Sequence, residues 1–358
     1  MNEPMFSVVI PTYNRAGTIP RAIESCLAQT DQDFEIVVVD DDKSKDDMTA
    51  ALAPYTSRCT ILLKLDHHGK AASARNEGVR LARGRHIAFL DADDAWLPEK
   101  LATCRTHLER EPDALFYSRN YVDRGVGRYW IKPARGLTDD ETIYDYLFAD
   151  KGWVHPSTIV VATDTARAHP FREDLSFGDD TQFAVDLWKS GVKIRMIERE
   201  LAIYHDPPQF DRLSQSPVFA KGKTPTHSSF MEWAESERAN MSDTTWLAYR
   251  AFWRSRFVAP SSARQALGDI WSARRSVGTG RVLSQTVQTF FPRSYRRLAD
   301  IVARFDGIDP ATLRHGAADG ASAPVHGEQV RTAELRPFPV SKRTTATSSA
   351  RREDHRAA

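Results

Sequence analysis

The chain has 358 residues, a hydrophobic fraction of 41%, a charged fraction of 27% and a formal net charge of +1. This suits a soluble globular protein with one substantial core plus appendages, and it excludes a global electrostatic case for nucleic-acid binding. Cys26, Cys59 and Cys104 are odd in number and lack metal-ligand spacing, so they read as reduced thiols.

Met1-Asn2-Glu3-Pro4 runs straight into a strand-like segment, which leaves no room for a signal peptide. No apolar stretch approaches the ~20 residues that span a bilayer. The expected location is cytoplasmic, or the cytoplasmic face of the inner membrane. Apolar runs predict strands at 6–10, 35–39, 61–65 and 87–90, and helical spacing falls between them at 17–29, 45–54, 70–83 and 98–110. Continuous apolar strands alternating with helices imply a parallel sheet covered on both faces, with ligands beyond the carboxyl ends of the strands. Further strands are predicted at 115–121, 158–162 and 193–197. A helix opens at Gly178-Asp179-Asp180 and closes at Gly191.

The fourth strand ends in Asp91-Ala92-Asp93-Asp94, three carboxylates within four residues. Their repulsion needs a cation or hydrogen-bond donors nearby, and oxygen ligands suit Mg²⁺ or Mn²⁺. An Asp-x-Asp after a strand is also a common solvated turn. Aspartate-nucleophile phosphatases place theirs after the first strand. Receiver domains need an isolated phosphoacceptor Asp and a later Lys.

Val8-Val9-Ile10-Pro11-Thr12-Tyr13-Asn14-Arg15, Glu35-Ile36-Val37-Val38-Val39-Asp40-Asp41, Ser73-Ala74-Arg75-Asn76-Glu77-Gly78 and Phe89-Leu90-Asp91-Ala92-Asp93-Asp94 occur in that order across residues 6–100. Together they resemble the motifs of family-2 inverting glycosyltransferases of the GT-A fold, in particular bacterial exopolysaccharide and succinoglycan-type enzymes. The likeness weakens towards 215. After Asp41, Asp42-Lys43-Ser44 replaces the more familiar Gly-Ser.

The resemblance implies an α/β fold, a Rossmann-like mixed sheet flanked by helices with a C-terminal helical extension. It also implies an inverting, metal-dependent hexosyltransferase that moves a sugar from a nucleotide-diphosphate donor, uridine-linked, to a glycan hydroxyl. Pro11, Thr12 and Tyr13 would line the nucleotide pocket, and Asp40 or Asp41 would accept from uracil or ribose. Arg75 would meet the diphosphate through its planar fork, with Asn76 adding an amide donor. Asp93 would be the direct metal ligand, with Asp91 reaching a ribose hydroxyl, metal-bound water or the metal, and Mn²⁺ or Mg²⁺ as cofactor. Asp94 reads as a helix-start acid. The acceptor's proton would pass to Asp180, with Asp179 close behind, because adjacent like charges raise one of the two pKa values. Acids at a helix N-terminus are equally explained by the macrodipole. His205 is a further candidate for metal or diphosphate contact, and Trp153 and His155 for the acceptor.

Three segments divide the chain: a catalytic domain over 1–215, an Arg- and Trp-rich helical extension over 216–310, and a tail over 311–358 whose composition predicts disorder. Residues 242–310 hold eleven Arg, no Lys and five Asp. Such helices suit either a cap on the catalytic domain or peripheral membrane contact through 228–305, and either is compatible with a lipid-linked oligosaccharide acceptor. Two rivals remain. A nucleotidyltransferase making sugar nucleotides would be expected to open with a Gly-rich phosphate loop, absent after Ile10. A catalytically silent sugar-nucleotide-binding protein would not need the acids at 93 and 180.

Overall fold

In the computed structural model, β1 (Phe6–Thr12) is buried at every position, as an unbroken apolar strand covered on both faces must be. The structure describes residues 3–41, 44–65, 70–175, 177–206 and 228–310. Strands β2 (Phe34–Asp41) and β4 (His86–Phe89) flank β1 in parallel, and β3 (Thr60–Leu65) pairs parallel with the outer side of β2. Helices α1 (Ile19–Leu27), α2 (Met48–Leu52) and α3 (Ala71–Leu81) lie between these strands in the chain. On α3, a Cβ at Gly78 would stand 2.3 Å from Val9 Cγ1, so the missing side chain is what lets the helix lie on β1.

The second half mixes directions. It comprises β5 (Ala95–Trp96), α4 (Lys100–Leu108), β6 (Leu115–Asp123), β7 (Tyr129–Lys132), β8 (Val160–Ala162), α5 (Thr163–Ala168), α6 (Asp179–Lys189) and β9 (Ile194–His205). The sheet runs β3-β2-β1-β4-β8-β6-β9-β5, with β7 on β6. Strand β8 is antiparallel to β4 and β6, whereas β9 is parallel to β6. Strand β9 extends well past the expected 193–197. Its charged stretch at Glu198-Arg199-Glu200 coincides with register shifts opposite Ser118–Asn120, which break the apolar alternation a sequence reader relies on.

The C-terminal region is helical: α7 (Ser228–Ser236), α8 (Asp243–Tyr249), α9 (Ser255–Val258), α10 (Ala263–Ser272), α11 (Arg274–Val277), α12 (Thr279–Phe290) and α13 (Pro292–Asp306). Phe230, Trp233, Met241, Tyr249 and Phe257 belong to the same buried cluster as Val9, Phe89 and Phe183. The described residues belong to one compact unit, and these helices complete the core of the sheet. A second core on the opposite side joins Phe6, Val8 and Ile10 to Ile23, Leu101 and Ile197. The predicted disordered tail from 311, and residues 216–227 of the extension, lie outside the described residues.

Candidate active site

A cavity of about 350 Å³ opens where β1, β2 and β4 end. Pro11, Thr12 and Tyr13 line it, together with Asp41, Arg75, Asp91, Asp93, Asp179 and Asp180. Thr12 Oγ1 is buried there without a hydrogen-bond partner among the described residues, so a hydroxyl is ready for a ligand. Tyr13 is 40% exposed and offers its ring to solvent.

Asp40 and Asp41 divide. Asp41 lines the cavity, whereas Asp40 is buried and accepts from the Ser44 hydroxyl at 2.8 Å. Burial pushes the Asp40 carboxyl above its ordinary value, with the Ser44 bond opposing and the Asp41 charge adding to the rise. The Ser44 backbone N–H donates to the Asp41 carbonyl at 3.0 Å, and its hydroxyl accepts from the Asn14 N–H at 3.1 Å. Although the sequence departs from Gly-Ser here, Ser44 itself ties this segment to the end of β1.

Arg75 is buried on α3. Its Nη2 donates to Asp91 Oδ1 at 2.7 Å and its Nη1 to Asp179 Oδ2 at 2.5 Å. Burial disfavours its charge, but the two carboxylates outweigh that and hold the guanidinium fully protonated. Asn76 faces elsewhere. Its amide donates to the Phe171 carbonyl and to Glu173, and accepts from the Phe171 N–H, so it ties α3 to the segment after α5 and lies outside the cavity lining.

Asp94 corrects the expectation of a helix-start acid. Strand β5, not a helix, comes after it, and its carboxylate is wholly buried. Oδ2 accepts from the Ser157 hydroxyl at 2.6 Å and Oδ1 from the His205 N–H at 3.1 Å, and the same Ser157 oxygen accepts from the Asp91 N–H. Asp94 thereby pins the acidic turn to two neighbouring segments. Asp93 faces the cavity, with Arg15 Nε 3.3 Å from its Oδ2, and Arg21 donates to its carbonyl.

Ligand atoms of Asp91, Asp94 and His155 all lie within 4.8 Å of one another. Both oxygens of Asp94, however, already accept from protein donors. Of the acidic turn, the carboxylates that face the cavity are Asp91 and Asp93, an oxygen donor set that fits a hard divalent ion. His205 is not among the lining residues. Its Nδ1 meets Asp123 Oδ2 at 3.0 Å. Burial opposes ionisation of Asp123, but the bonds from His205 and the Gly125 N–H prevail and hold its carboxyl below the ordinary range.

Opposite the acidic turn, Gly178 starts α6 with φ +75°, and a Cβ there would meet the Phe230 ring at 2.3 Å. Only glycine satisfies both demands, and a C-terminal helix therefore buttresses the start of α6. Asp180 lies just beyond. Burial, then the neighbouring charge of Asp179, push its carboxyl up to about 7. Trp153, His155 and Tyr204 form an aromatic wall, with ring centroids 4.7 to 5.1 Å apart. Trp253 also lines the cavity. Sequence reasoning missed Arg15, Lys70, Tyr204 and Trp253 as lining residues, and Ser157 as the residue that anchors the turn. Arg15 closes the first motif and was within reach, whereas nothing local marks Trp253, which arrives from a distant helix.

The model of the family described as "Glycosyl transferase family 2" matches residues 7–162. The amylovoran biosynthesis glycosyltransferase AmsB of Erwinia amylovora is 30% identical over 263 residues, 70% of this chain and 84% of that protein. The chain belongs to glycosyl transferase family 2. Another family relative is WfaP of Escherichia coli, a UDP-Glc:alpha-D-GlcNAc-diphosphoundecaprenol beta-1,3-glucosyltransferase, 35% identical over 120 residues, 34% of this chain and 47% of that one. S. aureus TarS 1-349, solved in complex with UDP-GlcNAc, superposes with a TM-score of 0.52 at 19% identity, covering 87% of this chain and 92% of that one. The fold of this family-2 glycosyltransferase is GT-A. The family match takes in the acidic turn and the Trp153 and His155 rings and stops before Asp179 and Asp180.

Proposed function

We propose that the protein is an inverting, metal-dependent hexosyltransferase that moves a sugar from a uridine-diphosphate donor to a hydroxyl of a lipid-linked oligosaccharide in bacterial exopolysaccharide biosynthesis. The observation that carries this reading is the single cavity face on which Asp41, Arg75, Asp91, Asp93 and Asp180 converge. The names of AmsB and WfaP support the pathway class, the uridine donor and the lipid-linked acceptor.

In this mechanism Pro11, Thr12, Tyr13 and Asp41 hold the nucleotide. Asp91 and Asp93 would hold Mn²⁺ or Mg²⁺, which when bound offsets the charge that builds on the departing diphosphate. Arg75 fixes Asp91 and Asp179 in place at the same end of the cavity and offsets part of their negative charge. The acceptor oxygen attacks the anomeric carbon, its proton passes to the Asp180 carboxylate, and the bond from that carbon to the diphosphate oxygen breaks, its electron pair leaving with the diphosphate. The elevated pKa of Asp180 suits a base working near neutral pH. Trp153 and His155 present the aromatic wall on which an acceptor sugar stacks.

The reading extends to peripheral contact with the cytoplasmic face of an anionic bilayer. No described helix is long and apolar enough to cross a membrane. Among the described residues every exposed large apolar side chain except Tyr13 falls between Leu267 and Phe305. Leu298, Ile301, Val302 and Phe305 recur at i, i+3, i+4 and i+7 on α13, beside Arg297 and Arg304. An apolar stripe with an arginine rim suits headgroups of negative charge.

The test is a screen of uridine- and guanosine-linked sugars by thermal shift with and without Mn²⁺, and then transfer to a diphosphate-linked acceptor. A uridine-linked donor that stabilises only with metal, and transfer that Asp180→Ala abolishes, would bear the reading out. Wild-type turnover in Asp180→Ala, or no stabilisation by any donor, would overturn it.

A further inference from the structure

Beside Trp153 three cations gather, and the one carboxylate whose charge bears on Lys132 is that of Asp206, already paired with Arg124 and Arg296. Lys132 closes β7, and its Nζ lies 5.7 Å from the centroid of Trp153. Lys151 lies two residues before Trp153, its Nζ 4.7 Å from the centroid of Phe252, and Phe252 precedes the cavity-lining Trp253. Arg256, on α9, brings its charge to bear on both lysines. Lys132, Lys151 and Arg256 form no ion pair among the described residues. Arg281 also lies over Phe252, but it is engaged with Asp150 and the Ala149 carbonyl.

Two further features set this cluster apart from a scatter of surface lysines. Lys151 has φ +58°, a left-handed conformation that disfavours a non-glycine residue. The next residue, Gly152, is so close to the Tyr146 ring that a Cβ would stand 2.5 Å from it, which fixes the backbone that presents Lys151. Both lysine side chains reach solvent, yet the surrounding protein desolvates them. Burial first, then the charges of Arg281, Arg256 and Lys132, bring Lys151 down to about 8, and burial likewise lowers Lys132. Like charges held near one another repel unless an anion joins them, and a phosphate supplies several acceptor oxygens for such donors.

We propose that Lys132, Lys151 and Arg256 bind the phosphate of the acceptor, the anionic group that joins its sugar to the lipid carrier. This rests on the lipid-linked acceptor of the preceding reading. Lys132 lies against Trp153, which lines the cavity, so an acceptor sugar stacked on that indole would bring its phosphate towards these cations. Specificity for a phosphate-linked acceptor over a neutral glycoside would then come from these three residues, while Arg75 and the acidic turn serve the donor.

The experiment titrates inorganic diphosphate into the full-length protein saturated with UDP, with Mg²⁺ in excess over both ligands, and monitors heat and tryptophan fluorescence. One further equivalent of diphosphate should bind to the wild type. In Lys132→Gln/Lys151→Gln its affinity should fall at least tenfold, while UDP affinity and the unfolding temperature stay as in the wild type. Arg256→Gln alone should weaken diphosphate binding in the same direction. No second equivalent in the wild type, or unchanged affinity in the double variant, would overturn the assignment. The UDP titration reads the donor reading separately: absence of UDP binding is a failure of that reading, and the diphosphate titration is then judged on the UDP-free protein by the same comparison of variants.

Discussion

Arg75 and Asp179 stand 104 residues apart in the chain and 2.5 Å apart in the fold. Through this contact, and the second one to Asp91, a single guanidinium joins the helix after β3, the acidic turn after β4 and the start of α6. The arginine is buried, so removing it is more damaging than the net worth of the pairing would suggest. Arg75→Met leaves two carboxylates facing each other without a counter-charge, an arrangement that costs about 3 to 5 kcal/mol. Denaturant unfolding should show a loss of that order, and donor binding should fall with it. Arg75→Lys keeps the charge but loses the fork and should recover stability only in part.

Asp180 predicts a pH profile. A base must be ionised to accept the proton, so kcat/KM should rise with pH through about 7 and level off above it. Asp180→Asn should reduce turnover by at least two orders of magnitude while leaving donor affinity near that of the wild type. Stability moves in the opposite sense to activity. The folded state holds this proton more tightly than the unfolded chain, whose ordinary value is 3.8, so the stabilisation is complete below that and lost as pH rises to about 7. Asparagine never ionises, so Asp180→Asn should melt a few degrees above wild type at pH 8, and the gap should close by pH 4. A variant that melts like wild type at pH 8 would argue against a carboxylate whose ionisation the fold disfavours.

Metal dependence can be apportioned among the acids. With Asp93 facing the cavity and His205 bound to Asp123, Asp93→Ala should raise the Mn²⁺ concentration for half-maximal transfer by tenfold or more. His205→Ala should shift it far less. EDTA should abolish transfer and Mn²⁺ restore it. Asp94→Ala is expected to fail differently: it strips the Ser157 hydroxyl and the His205 N–H of their acceptor, so it should lower the unfolding temperature even without metal. Metal titrations alongside melting curves separate the two kinds of loss.

The parallel half of the sheet was legible because β1, β2 and β4 are continuous apolar runs ended by polar clusters, and each cluster does reach the same cavity edge. The mixed half was legible only in part: β6, β8, the start of β9 and α6 fall where the sequence places strands and a helix, but the strand directions, β5 and the length of β9 were not readable. Strand β5 has two residues and no period to detect, and β9 carries exposed charges at Glu198 and Arg199 in mid-strand. At the site, the family resemblance pointed to Arg75, Asp91, Asp93 and Asp180, and all four line the cavity. It did not reveal that Asn76 would turn to Phe171, that Asp94 would be anchored by Ser157, or that Trp253 would cross from the C-terminal helices. Those outcomes depend on long-range packing, which no local pattern encodes. The Ser44 contact shows the converse. A departure from the expected motif left a hydroxyl where one was needed.

The last prediction concerns the apolar stripe of α13. Its inward face is committed, since Asp300 pairs with Arg124 at 2.7 Å and Arg296 meets Asp206 at 3.1 Å. Leu298 and Phe305, 57% and 82% exposed, make no such use of their side chains. If this face lies on a bilayer, Leu298→Asp/Phe305→Asp should abolish co-sedimentation with vesicles containing a third phosphatidylglycerol. Neutral vesicles should bind weakly from the outset, and salt near 0.5 M should weaken the anionic ones, because headgroup attraction is screened over a few ångströms at that strength. Because the substituted side chains lie on a helix face away from the cavity lining, UDP binding should be unchanged, and transfer should drop only when the acceptor is embedded in lipid. Equal sedimentation of wild type and variant would leave the stripe without a membrane role and assign the acceptor's delivery to the cavity mouth alone.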